Sequence, residues 1–304
     1  MLLDAASLYF RAFFGVPSSI TAPDGTPVNA VRGFLDMVAT LVGRHRPSHL
    51  VACWDDDWRP RWRVEAIPSY KAHRVAREVP GGPDLEEVPD ALTPQVPVIV
   101  EALAALGIAR VGASGCEADD VIGTLATRAA TRGATVDVVT GDRDLFQLVD
   151  DAAGIRVLYT GRGVRDVEVV DEARLRERYG IAHGDAYADL AVLRGDPSDG
   201  LPGVPGIGEK TATALLARYG DLAGVLAALD AVDPGLTKAQ RARLDAAREY
   251  LAAAPAVVRV LRDADLPEVD GAVPGQPADP AALVELAERW GIGSSLARVV
   301  DVLR

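Results

Sequence analysis

The stretch "LRGDPSDGLPGVPGIGEKTA", residues 193–212, sets two kinds of chemistry side by side. Its first half carries the carboxylates Asp196 and Asp199, and its second half is a Pro/Gly turn that leads into the helical pattern "EKTATALLARYG". Exposed amides at the start of a helix can hold a phosphate, whereas the two Asp side chains would repel it. Bound cations would remove this conflict, because their charge makes an acidic pocket attractive to a phosphate.

The same stretch lies where the pattern of the chain changes. Before it, short apolar runs alternate with amphipathic helices, which is typical of an α/β domain with a largely parallel sheet. Strands are predicted at 1–3, 50–54, 108–111, 136–140 and 155–160, and helices at 28–45 and 93–107. After Tyr187 the sequence becomes Ala/Leu-rich and helical. We therefore predict an α/β core over residues 1–184 and a helical region over 185–304.

Composition limits the class of protein. Hydrophobic residues make up 49% of the 304 positions, which is typical of a globular chain, and no apolar run reaches the length of a membrane span. Asp4 and Arg11 interrupt the apolar start, which argues against a secretory signal. Two cysteines and four histidines give neither a disulfide framework nor a zinc pattern. We expect a soluble cytoplasmic protein.

The net charge of −12 argues at first against a nucleic-acid partner. If about ten of the acids surround bound cations, however, the rest of the molecule is close to neutral. Net charge therefore does not exclude a polyanionic ligand.

Carboxylates follow three of the predicted strands. Asp4 ends the first strand, the run 55–57 follows the second, and Asp142 and Asp144 follow the strand at 136–140. Ligands gather beyond the carboxyl ends of parallel strands. A single Asp would be a turn residue or a helix cap, but three strand ends of this kind indicate a common site.

A further acidic group, "CEADD", opens a predicted helix. Ser114 and Glu117 fit a capping box, and acids are favoured in a first helical turn. Capping accounts for Glu117 alone, so we favour a ligand role for Asp119 and Asp120. Carboxylate oxygens without His or Cys select Mg²⁺ or Mn²⁺. Two such ions can align the attacking water and the leaving oxygen of a phosphodiester.

Residues 58–90 are too long for an ordinary connection and carry concentrated positive charge. Against one acid, Glu65, the part from 59 to 77 contains six basic residues: Arg59, Arg61, Arg63, Lys71, Arg74 and Arg77. Trp58, Trp62 and Tyr70 are interleaved with them, a pattern suited to phosphate contacts and base stacking. A charge run is usually a solvated face, but this concentration favours substrate binding.

The string "GVPGIGEKTA", residues 203–212, has the pattern of a helix–hairpin–helix turn. Its glycines allow the backbone to approach a DNA strand closely, and Lys210 adds charge without selecting a sequence. The DNA-binding residues predicted overall are Arg63, Tyr70, Gly203, Gly206, Gly208, Lys210 and Thr211.

Six segments together resemble the flap endonuclease family, especially the 5′ nuclease domain of bacterial DNA polymerase I. They are "LLDAASLYFRAFFG", "WRVEAIPSYKAHR", "VPGGPDLEEVPDALTPQVPVI", "GCEADDVIGTLA", "TGDRDLFQLV" and the opening stretch. No polymerase sequence follows, so the resemblance is to the free-standing bacterial form. It implies a central mixed, mostly parallel sheet, a helical arch at about 58–90, and a helix–three-turn–helix element at about 196–220 that grips duplex DNA.

The resemblance also implies roles for individual residues. Arg11 follows Asp4 at the family spacing, Lys71 and Arg74 match arch residues that approach the scissile phosphate, and Tyr70 is expected to stack on a base. K⁺ is expected on hairpin carbonyls. By position, the metal-binding acids are Asp4, Glu117, Asp119, Asp120, Asp142, Asp144, Asp196 and Asp199.

For one further metal ligand, the choice between Asp55 and Asp56 stays open. Relatives carry a single Asp at this strand end, whereas "CWDDDW" offers three. Counting back from Trp62 selects Asp56, and counting forward from the strand selects Asp55. We favour Asp55, because it lies directly at the strand end.

The expected activity is two-metal hydrolysis of phosphodiesters near 5′ ends, flaps, nicks or gaps in DNA, including RNA-primed ones. We expect a monomer that is associated with the nucleoid and acts in replication and repair. Lys71 and Arg74 would contribute only when the arch closes on substrate. Two alternatives are a DNA-binding protein with a degenerate nuclease core and a toxin-like RNase. The filled acidic positions argue against the first, and the arch and hairpin argue against the second.

Overall fold

A computed structural model describes residues 1–79 and 82–304. Pro80 and Gly81, which belong to the predicted arch, lie outside the described residues. The core is a six-stranded sheet in the order β5-β2-β1-β6-β7-β8. Its strands are β1 Leu2–Asp4, β2 Val51–Cys53, β5 Ala109–Val111, β6 Val136–Thr140, β7 Ile155–Tyr159 and β8 Glu168–Val170. A separate antiparallel pair consists of β3 Val75–Arg77 and β4 Leu85–Glu86.

All five predicted strands form, and the mixed, mostly parallel sheet is confirmed. Neighbours from β5 to β7 are parallel, and β8 runs antiparallel to β7. We did not predict β8, which is three residues long with an exposed centre. Leu3 of β1 is in register with both Ala52 and Val139. Asp4 therefore emerges at the carboxyl edge in the middle of the sheet.

Alternate residues along each strand face opposite sides, and both sides are covered. Leu3 contributes to a core with Phe34 and Leu103, and Leu2 to a second core with Val121 and Phe146. The helices before residue 184 are α1 Ala5–Gly15, α2 Asn29–His45, α3 Arg61–Ala66, α4 Gln95–Leu106, α5 Ala118–Thr131 and α6 Glu172–Tyr179. The two cores, one on each side of the sheet, hold in place the sheet edge that carries the acids.

The arch differs from the expectation of a helical element. Its described residues form the six-residue α3, a 3₁₀ turn at Ala72–Arg74, and the β3–β4 pair. Pro60, Pro68 and Pro83 interrupt this segment, and proline removes a helical hydrogen-bond donor and clashes with the preceding turn. A continuous helix is therefore not possible here.

The rest of the chain is helical, as predicted from residue 187 onward. Its helices are α7 Gly184–Arg194, α8 Glu209–Tyr219, α9 Leu222–Asp230, α10 Lys238–Ala246, α11 Arg248–Val258, α12 Pro280–Trp290 and α13 Gly293–Leu303. The last two return to the core and pack on α4 and α2. Among the described residues no single helix is long and apolar enough to cross a membrane; α8 with α9 meets the length and composition test only as a pair bent by 80°.

Candidate active site

Asp4 is the central carboxylate of the sheet edge. One oxygen accepts a hydrogen bond from the Ser7 amide (3.0 Å) and caps α1, and the other accepts from the Thr140 hydroxyl (2.7 Å). The residue is 5% exposed. Burial raises the pKa of Asp4 to about 7, and the charges of Asp55 and Asp142 add to the effect.

Thr140 connects Asp4 to the acids that follow β6. The Asp142 amide donates to the Thr140 hydroxyl oxygen (2.8 Å), and the Asp144 amide donates to an Asp142 carboxylate oxygen (3.0 Å). Burial, followed by the charges of Asp142 and Asp199, raises the pKa of Asp144 well above its ordinary value. The sequence analysis did not select Thr140, although it is the last residue of the predicted strand.

Of the two candidate aspartates after β2, Asp55 faces the cluster. It accepts a hydrogen bond from the Ala118 amide at the start of α5 (2.8 Å), and burial raises its pKa. Asp56 is exposed and forms an ion pair with Arg110 on β5 (2.7 Å). The geometry therefore favours Asp55 as a ligand and assigns Asp56 to a contact at the edge of the sheet.

The acids of the opening stretch meet those of α5. Asp196 and Asp199 flank a 3₁₀ turn, and the Lys71 amide donates to the Asp199 carbonyl (2.9 Å). A cavity of about 20 Å³ lies here, which is room for one water or ion. It is lined by the carboxylates of Glu117, Asp119, Asp144, Asp196 and Asp199.

The carboxylates form one electrostatic cluster. The pKa of Asp119 is raised well above its ordinary value, first by burial and then by the charges of Asp4 and Asp142. Among the described residues, no three His, Cys, Asp or Glu side chains are already gathered around a single ion position. The cluster nevertheless supplies the oxygen donors and the negative charge that Mg²⁺ or Mn²⁺ requires.

Asp120 was predicted as a metal ligand and Arg63 as a DNA contact, and in the structure these two side chains contact each other. They form a bidentate ion pair with two 2.7 Å hydrogen bonds, and they are 0% and 2% exposed. Asp120 also accepts from the amides of Glu117 (3.1 Å) and Leu261 (2.8 Å). Burial alone would lower the pKa of Arg63, but the bonds to Asp120 and the charge of Glu117 raise it. This pair joins the arch to the interior and leaves Arg63 no surface for DNA.

The start of α5 also differs from the capping expectation. The helix begins at Ala118 with Glu117 as its N-cap, and Asp120 accepts from the Glu117 amide. Ser114 is exposed and lies outside the helix.

Tyr70 was expected to stack on a base, but it is 3% exposed and donates its hydroxyl to Glu117 (2.7 Å). Lys71 adopts a left-handed backbone with φ of 47°, and its ammonium contacts the second Glu117 oxygen. We expected Lys71 to reach the site only when the arch closes on substrate. In the DNA-free protein it already contacts the acid cluster.

Arg74 and Arg11 lie at the rim of the cluster. Arg74 pairs with Glu86, lies 3.8 Å from an Asp199 oxygen, and stacks over the Trp58 ring at 5.4 Å. The Nε of Arg11 is buried without a hydrogen-bond partner among the described residues. This donor therefore lacks an acceptor among the described residues, which a buried water or ion could supply. The sequence analysis missed Glu86, because nothing in the pattern places it opposite Arg74.

The hairpin glycines have different environments. Gly203 is buried with φ of 64°, and a Cβ there would lie 2.5 Å from the Arg194 carbonyl. This predicted DNA contact therefore packs against the end of α7 instead. Gly206 is exposed, with its carbonyl accepting from Arg243 (2.9 Å). Gly208, directly before α8, is exposed with open space around its Cβ position among the described residues.

Two further predicted contacts open α8. Lys210 is exposed, and Thr211 is partly buried with its amide donating to the Gly208 carbonyl (3.0 Å). Of the predicted contacts, Gly206, Gly208 and Lys210 are therefore exposed, and the acid Glu209 is exposed between the last two.

An acidic sheet edge suited to metal ions lies next to a hairpin that leads into a helix, an arrangement that suits a nuclease. Comparison with known proteins identifies the family within this class of protein. Residues 1–180 match the model of the 5′-3′ exonuclease N-terminal resolvase-like domain, and residues 182–280 match that of the 5′-3′ exonuclease C-terminal SAM fold. The chain therefore belongs to the 5′-3′ exonuclease family.

Individual relatives agree with this assignment. A 5′-3′ exonuclease of Streptomyces coelicolor is 66% identical over 303 residues, covering 100% of this chain and 99% of the relative. DNA polymerase I of Mycobacterium bovis is 42% identical over 245 residues, which is 80% of this chain and 25% of the polymerase. T5 5′-exonuclease with bound zinc ions shares the fold with a TM-score of 0.65 at 16% identity, covering 100% of this chain and 99% of that one. The predicted resemblance is confirmed.

Proposed function

We propose that this chain hydrolyses phosphodiester bonds in DNA near 5′ ends and flap junctions, with two divalent ions held by the acid cluster. The observation that carries the proposal is the meeting of carboxylates from five chain segments near Lys71 and Arg74, beside an exposed hairpin. Each feature alone has a structural explanation. Together they suit a phosphate backbone that is bound at one point and cut at another.

The ions would be held by Asp4, Asp55, Glu117, Asp119, Asp142, Asp144, Asp196 and Asp199. When bound, the ions supply an activated water and neutralise charge on the reacting phosphate. The all-oxygen donor set supports Mg²⁺ or Mn²⁺. Burial, followed by the charges of neighbouring carboxylates, raises the pKa values of Asp4, Asp119 and Asp144, which supports a cluster that a bound cation would stabilise.

DNA would be held at the hairpin through the α8 amides, Gly208 and Lys210, with K⁺ on hairpin carbonyls. Backbone contacts of this kind select shape and not sequence. Selection by shape supports substrates with flaps, nicks, gaps or RNA primers. We further propose that the enzyme acts as a monomer on the nucleoid in the cytoplasm during replication and repair.

The cations at the rim have internal partners that a substrate phosphate would replace. Lys71 is paired with Glu117, and Arg74 with Glu86. An approaching phosphate would offer both side chains a charge-assisted partner of the same kind as the carboxylates that they contact. Arg11 contributes the Nε donor that lacks a partner among the described residues. These three side chains would orient the phosphate and stabilise charge on it.

The test uses a 5′-labelled flap DNA and a single-stranded RNA, each with Mn²⁺ or with EDTA. We expect metal-dependent cutting of the flap. Asp142→Asn and Asp199→Asn should each remove it while DNA binding, measured by fluorescence anisotropy, persists. Asp301→Asn, an exposed acid on α13, is the control with the same charge change. Full cleavage by both site variants would refute the acid cluster as the catalytic centre, and cutting of RNA alone would support the RNase alternative.

A further inference from the structure

Arg194 lies between the two functional ends of the opening stretch. It is the last residue of α7, with the acidic turn and hairpin between it and the first residue of α8, Glu209. Its Nη1 lies 3.1 Å from a Glu209 carboxylate oxygen, and its Nη2 lies 3.9 Å from an Asp196 oxygen. One guanidinium thus faces both a predicted metal carboxylate and the helix start predicted to hold DNA.

The surrounding structure restrains this side chain. Only 18% of it is exposed, its Nε donates to the Gly195 carbonyl (3.2 Å), and it stacks over the Tyr187 ring at 5.9 Å. The Val204 amide donates to the Leu193 carbonyl (2.9 Å), which joins the hairpin to the end of α7. A displacement of the hairpin is therefore transmitted to the guanidinium.

The two acids that Arg194 contacts, Asp196 and Glu209, differ in their surroundings and in the ligand that they would meet. Asp196 uses one oxygen to accept from the Ser198 amide (2.8 Å) and hydroxyl, so the oxygen that faces Arg194 is the one left for a cation. Glu209 is nearly half exposed and adjoins Gly208 and Lys210. Its charge would repel a phosphate there unless a cation offsets it.

We propose that Arg194 is a positioning residue that couples DNA binding at the hairpin to cation binding at Asp196. The inference rests on the proposed function. A phosphate at the start of α8 favours the Arg194–Glu209 pair, and this releases the Asp196 oxygen for a cation. A cation at Asp196 in turn repels the guanidinium toward Glu209. By linkage, each ligand then strengthens the binding of the other by the same factor.

The test is a thermodynamic cycle that does not depend on turnover. The affinity of the protein for a phosphorothioate flap DNA is measured by anisotropy in EDTA and in Ca²⁺, and the affinity for Ca²⁺ is measured by calorimetry with and without that DNA. The variants are Arg194→Met, which keeps length without charge, and Arg194→Lys. The control is Arg176→Met, which removes an exposed charge on α6.

We expect Ca²⁺ to tighten DNA binding by the wild type, and Arg194→Met to reduce this coupling factor by about fivefold or more. Arg194→Lys should retain part of it, and Arg176→Met all of it. Equal weakening of both affinities by Arg194→Met, with the coupling factor unchanged, would show a merely structural role and overturn the inference. If the wild type cleaves flap DNA but shows no coupling between Ca²⁺ and DNA binding, the inference is overturned and the proposed function stands. If the wild type shows neither cleavage nor coupling, the proposed function is overturned as well.

Discussion

Asp119 and Asp120 are adjacent carboxylates on α5, yet neutralising them should affect stability in opposite directions. Asp120 is fully buried and accepts four hydrogen bonds, two from Arg63 and one each from the Glu117 and Leu261 amides. Asp120→Asn keeps the shape but removes the charge, and it replaces one acceptor with a donor. The Arg63 guanidinium is then left in the interior without its main counterion.

Breaking a buried ion pair from one side costs about 3–5 kcal/mol. Glu117 stays 3.4 Å from Arg63 and offsets part of the loss, so we expect about 3 kcal/mol for Asp120→Asn. For a chain of 304 residues this lowers Tm by about 5 °C. The double variant Arg63→Met/Asp120→Asn should recover much of the loss, because the Asn oxygen still accepts from a backbone amide and the unpaired charge has been removed.

The pKa of Asp119 is raised first by burial of its carboxylate and then by the charges of Asp4 and Asp142, so its charged form is unfavourable in the folded protein. Asp119→Asn relieves this repulsion, so its Tm in EDTA should equal or exceed that of the wild type. Thermal unfolding followed by circular dichroism and calorimetry in EDTA compares the variants. The reasoning is refuted if Asp120→Asn unfolds with the wild type or if Asp119→Asn is the less stable of the two.

Two further predictions concern pH and the arch. Burial raises the pKa of Asp4 from 3.8 to about 7, so between these values the folded protein holds a proton that the unfolded chain releases. Its contribution to stability in EDTA therefore decreases as the pH rises from about 4 to 7; Asp4→Asn should flatten the profile of Tm against pH, and an unchanged profile would contradict this. Asp84 pairs with buried Arg59 (2.6 Å), which also donates to the Tyr70 carbonyl (2.7 Å) beside Lys71. Asp84→Asn should speed amide hydrogen exchange around Lys71 and lower kcat more than DNA affinity, whereas unchanged exchange would exclude this support.

The sequence was sufficient for the five parallel strands of the sheet, but not for β8, and for the sheet edge at which the acids lie. Asp4 ends β1 and Asp142 follows β6, these two strands pair directly, and parallel strands bring their carboxyl ends to one edge. The sequence could not show that Asp119 belongs to the acid cluster while Asp120 belongs to a buried ion pair. This difference depends on Arg63, which lies 57 positions away from Asp120. A periodic pattern identifies the element that carries a residue but not the distant partner that its side chain meets.

In the basic segment, residues 59–77, charge composition alone did not distinguish the buried cations from those that are accessible to DNA. Its cations were treated as one substrate-binding group, but Arg59 and Arg63 are buried in ion pairs that hold the arch to the core. Lys71 and Arg74 contact the acid cluster directly, and Arg61 is exposed. A segment rich in arginine can be irregular in secondary structure and still be firmly anchored, since acids buried on other elements supply its partners. Arg59 and Arg63 are therefore not accessible to DNA, whereas Arg61 and Arg77 are exposed, so the number of accessible cations is smaller than the charge run suggests.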